Sequence, residues 1–484
     1  MFFLPEGYSI AKILIILNAL LAMVVVFFER KKPESTFTWL LLLLFLPVFG
    51  FILYLLVGQD LHKKRIFRLK ATEEALILRS TREQYVKIKN DLIPFNEPAV
   101  STQKDTILLN IKSTALITQD NAIKLFHDGL DLFKDFREKL ESAQHYIYLQ
   151  SYIFRDDQLG KEIIEVLTRK AQAGVEVKLL FDGMGCLRLK QESLKLLLAA
   201  GGKIAEFYPP FQPYITTRIN YRNHRKIMVV DGKYGYLGGF NIGDEYIHRD
   251  KKIGFWRDTH LRIQGSAVQD LAVRFWLDWS YTYGETEKKL PHTDFQHLPV
   301  LGNTAMQIVS SGPDSPRSNV LDAFLKIIYN TRRTLFMQTP YFVPNDSLLS
   351  ALKLAALSGV DVHLMIPARP DHKFLFWAAH SYLGELLDCG ARVYLYKNGF
   401  LHSKTLIADS FASSVGSTNL DIRSFQLNFE INAFVYDRAI ALDLEKQFAE
   451  DVRFSTELTM QDYENRSWKI RFLESFFRLF SPLL

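Results

Sequence analysis

At 484 residues the chain is long enough for an anchor and two ordinary domains. A formal net charge of +6 suits a protein that meets anionic phosphate, as nucleic acid or as lipid headgroups, without choosing between them. The two cysteines, Cys186 and Cys389, exclude a disulfide framework and carry no metal-ligand spacing, so no metal or cofactor is expected.

Residues 10–28 (IAKILIILNALLAMVVVFF) carry one charge, Lys12, and residues 38–57 (TWLLLLLFLPVFGFILYLLV) carry none. Each run is about 20 residues, enough to cross a bilayer core. No basic stretch precedes the first and no small-x-small site follows it, which argues against a cleaved signal peptide. The expectation is a two-helix transmembrane hairpin within residues 1–60. Three basic residues in the joining ERKKPEST against five in the following LHKKRIFRLK place the C-terminal body on the cytoplasmic side. Residues 61–105 include the helix-favouring ATEEALILRSTREQYVKIK and read as a charged helical stalk.

An internal repeat follows. ESAQHYIYLQSYIF and KEIIEVLTRKAQAGVEVKLLFDG are matched by YNTRRTLFMQTPYF and LLSALKLAALSGVDVHLMIPA, each a strand, an amphipathic helix ending at Gly174 or Gly359, and an apolar strand. LKLLLAAGGKIAEFY and LGELLDCGARVYLY repeat a further helix-Gly-strand unit. Strands alternating with helices predict an α/β fold with mostly parallel sheets. The expected halves are residues 106–284 and 318–484, joined by a Pro- and Gly-containing linker at 285–317 in which MQIVSS reads as an edge strand.

After these units each half carries the same reactive pattern: His224, Lys226, Asp231, Gly238, Gly239, Asn241 and His402, Lys404, Asp409, Gly416, Ser417, Asn419. The intervening IMVV and TLIA read as buried strands, on which residues i and i+2 share a face, so each His and Lys point into one space. With 12 His a lone His-x-Lys is expected about once by chance, but two copies with Asp and Gly-small-x-Asn at equal spacing are not coincidence.

This duplicated HxKxxxxD pattern resembles that of the phospholipase D superfamily. GGFNIGDEY, WRDTHLRIQG and the apolar hairpin make the bacterial cardiolipin synthase branch the nearest likeness. The resemblance implies two half-domains packed about a pseudo-two-fold axis with both motifs in one site, His224 as nucleophile and His402 as general acid/base. Nothing in the spacing itself distinguishes the two histidines.

The residue types suit phosphodiester chemistry. A neutral imidazole can attack phosphorus in line while a protonated one serves the leaving oxygen, and Lys226, Lys404, Asn241 and Asn419 can hold the non-bridging oxygens without a metal. Ser417 offers a further hydroxyl, where Gly239 offers an amide and room for a substituent. An acceptor must fix each imidazole tautomer, and Asp258 and Glu430, which open the strand after each Asn loop, are the candidates. Asp231 and Asp409 belong to the motif, with turn amides as their expected partners. Arg222, on the face of His224, could reach a headgroup, though with Asn223 and Arg225 it reads as a solvated strand end; Tyr152 and Tyr341 could line the site, with core packing as the default; and Arg249, Lys251 and Lys252 read as a solvated loop.

The C-terminal RSWKIRFLESFFRLFSPLL places Trp468, Phe472, Leu473, Phe476, Phe477 and Phe480 on one broad helical face, with Lys469 inside the apolar arc. A closing helix docked on the body and an interfacial membrane helix both fit. The resemblance implies a multi-pass enzyme of the bacterial cytoplasmic membrane that makes cardiolipin from two phosphatidylglycerol molecules with release of glycerol. Phospholipid hydrolysis, use of phosphatidylethanolamine and a nuclease activity are the alternatives. Anionic membrane lipid is the expected partner and nucleic acid is not, because no aromatic-basic stripe for stacking bases is present.

Overall fold

The computed structural model describes residues 16–23, 33–45, 48–50, 54, 71–209, 221–284, 301–315, 317–369 and 373–481. The predicted membrane hairpin lies largely outside them; helix is present at 16–23 and Pro33–Phe45, and no helix among the described residues is long and apolar enough to cross a membrane.

Each half grows from the repeated strand-helix-strand unit. The helix Gln158–Gln172 starts where the Asp157 carboxylate accepts from the Gly160 amide, and Asp346–Leu357 starts where Asn345 accepts from Leu348. Both are followed by glycines in the left-handed region, Gly174 and Gly359, as the sequence predicts. The chain then returns along a neighbouring strand, so Tyr146–Ser151, Glu176–Asp182 and Lys203–Phe207 run parallel, as do Thr334–Gln338, Asp361–Pro367 and Arg392–Tyr396.

Apart from the short strand Arg222–Asn223, which runs parallel to Asn428–Tyr436, the rest of the sheet is antiparallel, which makes it mixed rather than mostly parallel. Only strands joined through a crossover must run parallel. The motif strands Ile227–Val230 and Thr405–Ala408 instead turn back at once through Asp231-Gly232 and Asp409-Ser410, all four with positive φ, and pair antiparallel with Tyr234–Gly238 and Ala412–Gly416.

The strand order is symmetric about the central pair Thr304–Ser311 and Ile117–Phe126. Outward on one side lie Asn428–Tyr436, Ala412–Gly416, Thr405–Ala408, Thr334–Gln338, Asp361–Pro367 and Arg392–Tyr396, with Ser455–Leu458 added at this edge alone. On the other lie His260–Gln264, Tyr234–Gly238, Ile227–Val230, Tyr146–Ser151, Glu176–Asp182 and Lys203–Phe207, the repeat equivalents in the same sequence. MQIVSS therefore falls in a central strand, not at an edge: both of its neighbours are supplied by segments far away in the chain. The segment before the first half also reaches across, since Ile88, Val100, Ile107 and Ile111 share a core with Phe324, Ile327 and Leu335 of the second.

A buried ion pair ties the halves together. Arg257 Nε lies 2.9 and 3.0 Å from the Asp451 carboxylate oxygens, and Gln338 donates to the same carboxylate at 2.7 Å. Both charged residues are 2% exposed, so removing one strands the other in a low dielectric. Arg257→Ala is expected to cost about 3–5 kcal/mol of stability. Arg249→Ala, on the exposed loop, should cost about 1 kcal/mol at most; chemical denaturation in detergent measures both.

Candidate active site

Each motif histidine is delivered onto the other half's sheet. Arg222–Asn223 pairs in parallel with Asn428–Phe429, and the His224 amide donates to the Phe429 carbonyl at 2.9 Å. Phe400–Leu401 pairs in parallel with Trp256–Arg257, and the His402 amide donates to the Arg257 carbonyl at 2.7 Å. The next residue on each receiving strand is a carboxylate. His224 Nδ1 lies 3.0 Å from Glu430, and His402 Nδ1 lies 2.6 Å from Asp258. Both carboxylates are fully buried. With Nδ1–H donating, Nε2 of each ring carries the free lone pair. Each of these carboxylates thus stands against the histidine of the opposite half.

The charges in the site are strongly coupled. Burial raises the Asp258 carboxyl, but Lys404 and His402 outweigh it and hold the group below its ordinary range. His224 and Lys226 do the same for Glu430. Burial pulls His224 down, and burial with the Lys404 charge takes His402 to about 3. Burial also lowers Lys226 to about 7. Both imidazoles are therefore neutral at neutral pH until an anion enters, and an arriving phosphodiester favours protonation of one of them.

Lys226 Nζ donates to the His224 carbonyl at 2.7 Å, and Lys404 Nζ donates to the His402 carbonyl. This bends each lysine back beside its own imidazole. Tyr152 stands edge-on to His224, with ring centres 4.8 Å apart, and Trp256 is tilted against His402 at 5.0 Å. Tyr152 is thus a site residue rather than plain core. Trp256 is a wall of the site that sequence reasoning missed, although it opens the quoted WRDTHLRIQG; the signal available was its place two residues before Asp258.

The remaining motif residues separate by what they touch. The Asp231 carboxylate accepts from the amides of Gln144, His145 and Tyr146, each at 2.8 Å, and Asp409 from Arg332, Arg333 and Thr334 at 2.8, 2.7 and 3.1 Å. These amides lead into the neighbouring strand, which runs antiparallel to the motif strand, rather than forming the motif's own turn, so the two aspartates anchor the far end of each motif strand. Asn241 accepts from the Ile153 amide and donates to the Tyr246 hydroxyl, both at 3.1 Å, which pins its loop. Asn419 is buried and its side-chain oxygen has no hydrogen-bond partner among the described residues.

Ser417 and Gly239 resolve the one departure between the motifs. The Ser417 hydroxyl donates to Glu430 and accepts from the Ile431 amide, so it braces the orienting carboxylate instead of facing phosphate. At Gly239 an added Cβ would meet Asp258 Oδ1 at 2.0 Å, so the room expected for a substituent is filled by that carboxylate.

Arg222, Asn223 and Arg225 are 5%, 2% and 1% exposed, which corrects the solvated reading. Arg225 makes two 2.7 Å contacts to Asp278, and Asp278 also receives Gln150 at 2.9 Å. Asp278 with Gln150 repeats in the first half the Asp451–Gln338 couple of the second, but both arginines come from the first half, Arg225 pairing within it and Arg257 across to Asp451. The loop holding Arg249, Lys251 and Lys252 is exposed, as expected. Among the described residues no cluster of His, Cys, Asp or Glu has a metal-holding arrangement.

Two family descriptions match the chain. "Cardiolipin synthase, PLD-like domain" covers residues 136–279 and 324–452, and "Phospholipase_D-nuclease N-terminal" covers residues 16–59. The chain is 45% identical to a cardiolipin synthase of Listeria innocua over 98% of both chains. It is 44% identical to the major cardiolipin synthase of Bacillus subtilis over 98% of this chain and 100% of that one. The fold is shared with phosphatidylserine synthase of Haemophilus influenzae, with a TM-score of 0.61 at 15% identity over 80% of this chain and 98% of that one. With both HxKxxxxD motifs in one buried site and likeness along nearly its whole length, the chain belongs to the cardiolipin synthase family of phospholipase D-like proteins.

Proposed function

We propose that the protein is a phosphatidyltransferase that joins the phosphatidyl group of one phosphatidylglycerol to the terminal hydroxyl of another. The observation that carries this reading is the crossed pair of buried His–carboxylate couples with a lysine beside each imidazole. The names of the full-length relatives support the product, cardiolipin.

In the proposed first step His224 Nε2 attacks phosphorus, forming a P–N bond as the P–O bond to glycerol breaks. His402, protonated once the substrate anion is bound, gives its proton to the departing glycerol oxygen. In the second step neutral His402 takes the proton of the acceptor hydroxyl, whose oxygen attacks phosphorus while the P–N bond breaks. Two phosphatidylglycerols give one cardiolipin and one glycerol, and the enzyme is regenerated. Lys226 and Lys404 supply positive charge to the non-bridging oxygens in both transition states.

Transfer rather than hydrolysis is favoured by the burial of both imidazoles, 8% and 7% exposed, which limits competing water. We read residues 1–60 as the membrane hairpin, 61–105 as its stalk, and 106–284 and 318–484 as the halves joined by 285–317. The enzyme then sits in the bacterial cytoplasmic membrane with its body on the cytoplasmic side. Incubating the detergent-solubilised protein with phosphatidylglycerol alone should yield cardiolipin and glycerol. Phosphatidic acid as the main product would make it a hydrolase, and no product without phosphatidylethanolamine would change the donor or acceptor.

A further inference from the structure

The C-terminal helix Trp468–Arg478 divides its apolar surface in two. One side docks on the helix Lys373–Asp388: the Phe477 and Phe374 rings meet at 4.6 Å, Arg478 pairs with Glu385 at 2.6 Å, and Glu474 is buried against Arg466 at 3.2 Å. The other side is left in the open. Trp468, Phe472, Phe476 and Leu479 are 73%, 62%, 43% and 68% exposed. Successive members are three or four residues apart and form one continuous stripe along the helix.

Charge frames that stripe. Lys469 and Arg471 are exposed and, at 100° per residue, flank the apolar arc on its two sides. Arg466, Arg471 and Arg478 line a cleft of about 340 Å³ beneath the helix, where Nε and Nη1 of Arg466 have no hydrogen-bond partner among the described residues. Glu464 and Glu474 also line it, so the cleft retains a net positive balance. The position relative to the active site is also fixed by packing. The helix Lys373–Asp388 that carries this element packs against the strand Phe342–Val343, which pairs with Leu420–Asp421 directly after Asn419.

We propose that this helix is an interfacial anchor: its stripe enters the headgroup–acyl boundary of an anionic bilayer, and Lys469, Arg471 and the arginine cleft engage lipid phosphate. An aromatic stripe of this width bordered by cations fits a lipid interface, and the docked face keeps the helix attached to the wall of the active site. The catalytic site is thereby held at headgroup level, where its substrate resides. The assignment rests on the lipid-substrate reading above, and the label experiment below requires no turnover, so the two can fail separately.

The test uses the full chain reconstituted in vesicles of phosphatidylglycerol and phosphatidylcholine. In a Cys389→Ser background, with Cys186 buried, Phe472→Cys is labelled with an environment-sensitive fluorophore and compared with Glu192→Cys on the first half. Doxyl-lipid quenching at position 472 is expected to exceed that at 192 about threefold or more, and to weaken in phosphatidylcholine alone. Equal quenching at the two sites overturns the anchor, and quenching indifferent to anionic lipid overturns the phosphate contacts. The triple variant Trp468→Ser, Phe472→Ser, Phe476→Ser should lose about tenfold in activity on vesicles and stay within about twofold in detergent micelles. Equal loss in both assays would assign the stripe to packing, and no loss in either would remove its role.

Discussion

His224→Ala is expected to lower turnover by about five orders of magnitude or more, and His402→Ala by about two to four. The difference follows from the assigned roles, because the first variant loses the atom that bonds phosphorus and the second loses a proton carrier. A phosphatidyl ester of p-nitrophenol separates them, since that leaving group departs without being protonated. His402→Ala should release one equivalent of p-nitrophenolate in a burst and then stall as the phosphohistidine, because the acceptor hydroxyl has lost its base. His224→Ala should give no burst. The reverse pattern would exchange the roles, and glycerol release by both variants near the parent rate would sink the two-histidine scheme. The structure makes the experiment readable: each imidazole has its own carboxylate and lysine, so deleting one leaves the other's surroundings in place.

Much of this site was legible in the sequence because it depends on local pattern. Period-two alternation predicts His and Lys on one face of a strand, although the motif strands begin only at Ile227 and Thr405, just after each Lys; the internal repeat aligned Asp258 with Glu430 as the residues opening the next long strand. What the sequence could not show is that the couples cross between halves. That exchange is made by two-residue ladders, Arg222–Asn223 with Asn428–Phe429 and Phe400–Leu401 with Trp256–Arg257, too short to carry any hydrophobic period. Arg225 was misread for a related reason: a charged residue at a strand end is usually solvated, and its partner Asp278 lies on the helix Ala267–Tyr283, far along the chain. The mixed sheet was missed because helix–strand alternation describes only the outer strands, while the inner ones are joined by tight turns. Ser417 and Gly239 show a further limit, since a difference that suggests unequal substrate contacts reflects two ways of seating a carboxylate.

Asp258→Asn and Glu430→Gln should each reduce kcat by about 10²- to 10⁴-fold while leaving the fold intact, the size seen when a buried acceptor of an imidazole N–H loses its charge. Their pH profiles should differ. His402 must be protonated to release glycerol, and the Asp258 charge, 2.6 Å from its Nδ1, stabilises that imidazolium against burial and the Lys404 charge. Removing it lowers the affinity of His402 for the proton further, so the alkaline limb of kcat/KM should move to lower pH. His224 must be neutral to attack, and loss of Glu430 keeps it neutral. Glu430→Gln should therefore slow the reaction through poorer orientation and a less stabilised phosphoimidazolium, with the alkaline limb unmoved. Because the histidines and lysines titrate as a coupled set, the comparison is between apparent limbs of matched variants rather than absolute values. A shift in Glu430→Gln without one in Asp258→Asn would assign general acid/base work to His224, and equal shifts in both would mean that the two histidines exchange protons directly instead of holding separate roles.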